Sequence, residues 1–309
     1  MKVLITGVSG LLGLNVALEA AARHDVVGVH RGRIRSAPFE TLESDLLLAD
    51  AVERLLDSVR PDCVIHCAAL ADVDRCEVEP ERARELNTEL PDMIARACGA
   101  RSISLVHIST DAVFGGDGAG LYTEDDVPRP VNVYGATKLR GERAVLAGFP
   151  EAIVARVNFY GWSLSGDRSL AEFFIKNLRA GSPVLGFTDV VFCPMLANQL
   201  ARLVLEMVEK RLAGLFHVVG PEPMSKYEFG VAVARRWGLD TSQISPRSVA
   251  GSGLAAPRTR NLHLSTHKLS TALGTPLPAF STGLDEFYAQ SLQSYPQMIR
   301  GFSTVEEEA

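Results

Sequence analysis

Tyr134 and Lys138 stand four residues apart in Tyr134-Gly135-Ala136-Thr137-Lys138. On a helix, residues at that spacing share a face, so a phenol and an ammonium line one wall of a cleft. A free tyrosine ionises near pH ~10, and a neighbouring ammonium favours the phenolate and lowers that value. Such a phenol gives a proton to a carbinol oxygen, or takes one from it, near neutral pH. The spacing alone is common by chance. It gains meaning from Ile108-Ser109-Thr110-Asp111-Ala112-Val113-Phe114-Gly115 upstream. There an apolar strand runs into hydroxyls at its carboxyl end, where open α/β sheets put their ligands. Thr110 is placed to hydrogen-bond a reacting oxygen beside Tyr134. Asp111 has two readings, as a ligand for a sugar hydroxyl or support for the site, and as a turn cap.

A second chemistry-bearing segment is Gly7-Val8-Ser9-Gly10-Leu11-Leu12-Gly13. Gly7 permits a tight turn, Gly10 lets backbone approach a ligand, and Gly13 lets helix and strand pack closely. The helix that begins at Leu11 and Leu12 offers free N–H groups and a positive dipole end, which suits a pyrophosphate. An NAD site places Asp or Glu at the end of the next strand, on the ribose 2′-hydroxyl. Here that position reads His30-Arg31-Gly32-Arg33. Two guanidiniums attract a 2′-phosphate, so NADPH is the expected cofactor through Arg31 and Arg33, with NADH still open. The bland alternative is that both arginines are solvated loop residues. Asp45 and Leu46, in a short run read as the third strand, are candidate cofactor contacts, Asp45 at the adenine edge.

These residues need a scaffold. Over the first 160 residues, strand candidates at 2–6, 26–30, 63–67, 103–109 and 152–157 alternate with helical patterns. One such pattern is the Val52, Leu55, Leu56, Val59 stripe. Alternation of this kind implies right-handed βαβ units and a doubly wound parallel α/β sheet of the Rossmann type. Downstream, Leu200, Leu203, Val204, Met207 and Val208 form a helical stripe, and 215–219 is another strand candidate. Ser225 and Glu228 make a capping box for a helix reaching Trp237. Residues 240–280 read as loop-dominated and 306–308 as a frayed tail. The expected organisation is a dinucleotide-binding domain over 1–160 and a smaller α/β substrate-binding lobe over 161–309, returning to the sheet around 185–220.

Composition narrows the function classes. Net charge is −6 over 309 residues with no Lys/Arg cluster, so nucleic acid is not an expected partner. No apolar run reaches the roughly 18 residues of a membrane span. Five cysteines at irregular spacing point to free thiols in a reducing cytoplasm. Cys63 and Cys67 alternate with His66 across a strand, so no metal site is expected there.

The whole chain resembles the extended short-chain dehydrogenases and, within them, the dTDP-4-dehydrorhamnose reductase group. The resemblance is carried by residues 6–13, Cys67-Ala68-Ala69, Asn87, 109–115, 134–138, 214–220 and Ser225-Lys226-Tyr227-Glu228-Phe229. It implies Thr110, Tyr134 and Lys138 as a catalytic triad. It places Gly7, Gly10, Leu12, Ala68, Ala69 and Lys138 at the cofactor, and Leu11, Gly13, Cys67 and Tyr134 beside them are further candidate cofactor contacts. It further implies reduction of the 4-keto group of a nucleotide-linked deoxysugar that binds the C-terminal portion. Related 4,6-dehydratases carry Asp-Glu directly after the threonine. Asp111-Ala112 lacks the second acid, so dehydration is not expected. Asn158 and Asp189 are candidate substrate contacts, Arg156 and Asn158 being equally open to a packing role. Two other functions stay open. One is a nucleotide-sugar epimerase. The other is a non-catalytic NADP-binding regulatory subunit like that of methionine adenosyltransferase, which Pro257-Arg258-Thr259-Arg260-Asn261 resembles. A homodimer is an open possibility.

Overall fold

A computed structural model describes residues 1–32, 34–116, 121–251 and 253–303. Arg33 and residues 306–308 lie outside the described residues. Apolar runs too short for helices become the strands β1 (Lys2–Thr6), β2 (Asp25–His30), β3 (Glu40–Glu43), β4 (Cys63–His66), β5 (Ser104–Thr110) and β6 (Ile153–Val157), joined by Gly214–Val218. They form one seven-stranded sheet in the order Gly214–Val218, β6, β5, β4, β1, β2, β3. Every pairing is parallel. A sheet covered on both faces demands apolar residues on both, and β4 and β6 are buried throughout. Alternation then divides the core: Val3 and Ile5 pack on one side, Leu4 on the other.

The chain departs in opposite directions from β1, toward β2 and toward β4. The loops at the carboxyl ends of these two strands therefore open a crevice, the place where such sheets bind ligands. The third strand is Glu40–Glu43 rather than the expected 44–46. It is an edge strand with no buried residue, so no apolar run announces it. Asp45 follows it in a turn, accepting from Leu47 N at 3.1 Å, and Leu46 is buried in the core. The region 240–280 is more ordered than its composition suggests, holding the strand Ile244–Arg247 and the helix His267–Leu273.

The helix Ala197–Glu209 lies against the helix Leu11–Ala21, where Asn198 Nδ2 donates to Glu19 Oε1 at 2.9 Å. A smaller cluster of elements has its own aromatic core of Tyr160, Trp162, Phe174, Phe229 and Phe287, with Trp162 stacked on Phe287 at 4.1 Å. Its helix Lys226–Arg236 starts with the expected capping box: Ser225 Oγ accepts from Glu228 N at 3.1 Å, and Glu228 Oε2 accepts from Ser225 N at 2.7 Å. Arg258 ties this part to the first, donating to Asp74 Oδ2 at 2.6 Å.

Candidate active site

The glycine turn is built by close approach. Gly7 has φ +70°, and a Cβ on it would lie 2.7 Å from the backbone of Ala68. A side chain on Gly13 would run into the Gly7 carbonyl. Gly10 is the N-cap of the helix Leu11–Ala21, with no capping side chain and no acid in the first turn. The amides of Leu11, Leu12 and Gly13 thus lack intrahelical acceptors, and the positive end of the dipole is unopposed. An anion fits such a terminus.

The neighbouring wall is Cys67-Ala68-Ala69, just past β4. Ala68 N donates to Thr6 Oγ1 at 3.3 Å, and that hydroxyl lies 2.6 Å from His66 Nδ1. Asn87, fully buried, clamps this wall to the next element. Its Oδ1 accepts from Leu70 N at 2.9 Å, and its Nδ2 donates to Leu70 O at 3.0 Å and to Thr137 Oγ1 at 3.2 Å.

Thr137 belongs to the helix Val133–Gly148, which carries Tyr134 and Lys138. Asn132 caps it, accepting from Gly135 N at 2.8 Å. Gly135 sits against the Ala112 carbonyl, where any Cβ would collide, so the helix can approach the turn after β5. Thr110 is thereby brought within hydrogen-bonding reach of the Tyr134 phenol. Lys138 is buried; its Nζ donates to Ile108 O at 2.6 Å and lies 3.5 Å from His107 Nε2. Burial lowers its pKa to about 8, against the opposing pull of Glu142.

The phenol departs from expectation. Burial holds Tyr134 above its ordinary range, opposed by the Thr110 hydrogen bond, while the Lys138 ammonium is directed at the Ile108 carbonyl. Four-residue spacing aligns the two side chains on one face, but the longer one continues past the ring to the β5 backbone. His66 and His107 stack 5.4 Å apart beneath Lys138. Burial pushes His66 down to about 3 and His107 well below its ordinary value, so both are neutral.

Asp111 and Asn158 do meet at this site. Asn158 Nδ2 donates to Asp111 Oδ2 at 2.5 Å, and Thr110 Oγ1 donates to Asp111 Oδ1 at 3.1 Å. Arg156 instead packs: its side chain is 3% exposed, paired to Glu142 at 2.8 Å. Asp189 is occupied elsewhere, accepting from Ser248 Oγ at 2.6 Å and Val249 N at 2.7 Å. Arg31 is exposed just past β2. Lys226 escaped the sequence reading. It faces both Asp111 and Arg258, and burial lowers its pKa. Its only sequence signal was membership of the 225–229 motif. Among the described residues no group of three or more His, Cys, Asp or Glu is arranged to hold a metal ion.

This sheet order, with its glycine turn and a Thr–Tyr–Lys arrangement at the carboxyl end of β5, has the fold of the extended short-chain dehydrogenases. The chain belongs to the family described as the RmlD substrate binding domain, which matches residues 1–293. It is 33% identical over 289 residues to a Haloferax volcanii protein named "Probable low-salt glycan biosynthesis reductase Agl14", covering 92% of this chain and 96% of the relative. It is 33% identical to the dTDP-4-dehydrorhamnose reductase of Mycolicibacterium smegmatis, over 93% of this chain and 85% of that one. It is also 34% identical to methionine adenosyltransferase 2 subunit beta of Danio rerio, over 87% and 84%. Among solved structures, a hypothetical dTDP-4-dehydrorhamnose reductase from Sulfolobus tokodaii superposes with TM-score 0.81 at 31% identity, over 92% and 98%. The Bacillus anthracis dTDP-4-dehydrorhamnose reductase in complex with NADP does so with TM-score 0.83 at 25%, over 94% and 99%. Among the described residues no helix is long and apolar enough to cross a membrane.

Proposed function

We propose that this protein is an NADPH-dependent reductase acting on the 4-keto group of a nucleotide-linked deoxysugar. The observation that carries the reading is the placement of Thr110 against the Tyr134 phenol, with Lys138 one turn on, at the carboxyl end of β5 beside the glycine turn. A phenol held above its ordinary range is protonated at neutral pH. It is a proton donor there rather than a base, which suits reduction of a carbonyl. The reductase and NADP named for the relatives support the same reading.

The uncapped amides at Leu11, Leu12 and Gly13 fit a pyrophosphate, and Gly7 leaves room for it beside Ala68. Arg31 and Arg33 would take the 2′-phosphate, Ala68 and Ala69 would flank the dinucleotide, and Lys138 would reach the nicotinamide ribose. When bound, NADPH supplies the hydride. Tyr134 delivers the proton to the keto oxygen, Thr110 orients that oxygen, and Asp111, itself held by Asn158, positions Thr110.

The test is NADPH oxidation with a panel of dTDP-, UDP- and GDP-4-keto-6-deoxy sugars. Turnover of at least one member is expected; none at all, with NADPH still bound, sinks the reading. Arg31→Ala is expected to raise the KM for NADPH about tenfold, the scale of one charged hydrogen bond, while leaving that for NADH unchanged. An unchanged NADPH KM removes Arg31 from the site.

One observation favours a second reading, a regulatory subunit: the likeness to methionine adenosyltransferase 2 subunit beta. In that case the native protein co-purifies at fixed stoichiometry with a catalytic partner and turns over none of the panel.

A further inference from the structure

Thr110 has a single hydroxyl proton, and in this structure it is directed at Asp111 Oδ1, 3.1 Å away. Thr110 Oγ1 itself accepts from Ala112 N at 3.1 Å and lies within reach of the Tyr134 phenol. A hydroxyl has one donor and two acceptor positions. While its proton is committed to a carboxylate, Thr110 cannot donate to a keto oxygen or to the phenolate that Tyr134 becomes. An additional donor is needed, and among the described residues the group in contact with Thr110 that can change from acceptor to donor by taking up a proton is Asp111.

We propose that Asp111 is the positioning residue that aims Thr110: as a carboxylate it turns the hydroxyl away from the reacting oxygen, and as a carboxylic acid it turns it toward that oxygen. In the acid form Asp111 Oδ1–H donates to Thr110 Oγ1, and Oδ2 still accepts from Asn158 Nδ2. The Thr110 proton is released toward Tyr134 and the substrate. As the Tyr134 O–H bond breaks, a new O–H bond forms on the keto oxygen, and the phenolate left behind accepts from Thr110. Asp111 keeps its proton throughout, so the step balances without it.

The surroundings make the acid form accessible. Asp111 is 4% exposed, and burial raises its carboxyl to about 6. Asn158, Thr110 and Lys226 pull the other way. The groups facing it come from four directions. Tyr134 lies on the helix Val133–Gly148, Lys226 on the helix Lys226–Arg236, Asn158 beyond β6, and Cys193 just before Met195–Leu196. The Tyr134 phenol and the Cys193 thiol are both raised and neutral. Arg258, which faces Lys226, is matched by Asp74. Among the described residues Lys226 is therefore the charge pressing on Asp111, and it limits how far the carboxyl rises.

The inference rests on the reductase reading, and two measurements separate their failures. The first follows the Asp111 carboxyl by ¹³C NMR in protein labelled at aspartate. It is expected to titrate near the value given above, and Thr110→Val should move it higher by removing a donor that favours the carboxylate. Titration in the usual range near ~4, unmoved by Thr110→Val, overturns the proposal whatever the enzyme does. The second is the pH profile of kcat/KM with a keto-sugar that turns over. The wild type should lose rate as pH rises through the Asp111 titration. Asp111→Asn presents an N–H to Thr110 and a carbonyl to Asn158, so it imitates the acid. It should remove that limb and exceed the wild type about tenfold or more at pH ~8, since roughly 1% of a group titrating two units lower is still protonated there. An Asp111→Asn profile that matches the wild type, or one that is low at every pH with NADPH still bound, overturns it. Absence of turnover with the expected titration upholds the switch and removes the reductase reading.

Discussion

Replacing Glu142 with alanine is expected to lower the unfolding free energy by about 3–5 kcal/mol, the cost of stranding a buried charge. Glu142 lies one turn beyond Lys138 on the same helix. It accepts from Arg156 Nε at 3.0 Å, from Arg156 Nη2 at 2.8 Å and from Ser109 Oγ at 2.5 Å. The two side chains are 3% and 4% exposed, so water cannot replace either partner. His217, 3.5 Å from Arg156, is held down to about 3 by burial and stays neutral, so it brings no counter-charge to the guanidinium. The Phe114 ring, 4.9 Å from the guanidinium, offers a quadrupole but no counter-charge. Glu142→Gln keeps the shape and loses only the charge, so its cost should fall between wild type and alanine. Glu142→Leu with Arg156→Met removes both charges together and should recover most of the loss. Urea unfolding measures all three, a shifted midpoint at constant slope being the sign of a change in stability. A loss below about 1 kcal/mol for Glu142→Ala means that the ion pair contributes little beyond its own desolvation. A functional effect follows as well. Glu142 raises the Lys138 pKa against burial, so losing it leaves that ammonium easier to deprotonate.

The readable part of this site is the part written locally. The turn at Gly7, the uncapped helix after it and the shared face of Tyr134 and Lys138 each depend on residues within seven positions of one another. Periodicity suffices to find them. The capping box at Ser225 is local in the same way. What the pattern does not contain is where a helix lands. Nothing around Lys226 says that its first turn comes to rest beside Asp111, because that contact is made by packing between elements far apart in the sequence. Arg156 and Asn158 sit two residues apart and read alike, yet the first is sealed into an ion pair behind the sheet and the second reaches Asp111 past the end of β6. The deciding partner, Glu142, belongs to another element. Asp189 shows the converse. Its position suggested a ligand, but the residues that use it, Ser248 and Val249, are brought up by a loop whose path no spacing predicts. The third strand was misplaced for a simpler reason: an edge strand paired on one side needs no apolar run. The phenol's pKa was misjudged because a shared helix face fixes direction but not reach, and the lysine ammonium ends at the Ile108 carbonyl.

Tyr134→Phe is expected to reduce kcat by about 10²- to 10⁴-fold, the contribution of a positioned general acid, with little change in NADPH affinity or stability. The two effects separate because the ring and the hydroxyl have different partners. The ring packs against the core that also holds Leu86 and Leu90, and phenylalanine keeps that packing. Among the described residues the hydroxyl is within reach of Thr110, and Thr110 still has Asp111 and Ala112 when it is gone. No buried donor or acceptor is orphaned, so the folded state loses little. The keto oxygen, however, loses its acid. Lys138 does not take over, since its ammonium is engaged with the Ile108 carbonyl behind the ring. The raised phenol also fixes a sign. Tyr134 stays protonated through the neutral range, so it should contribute no alkaline limb there, and any limb in the wild-type profile belongs to another group. Single-turnover mixing with NADPH already bound reads the chemical step directly. If Tyr134→Phe keeps kcat within about threefold of wild type, the proton comes from elsewhere in the cleft. Asp111, whose carboxyl touches Thr110, would then be the group to replace next.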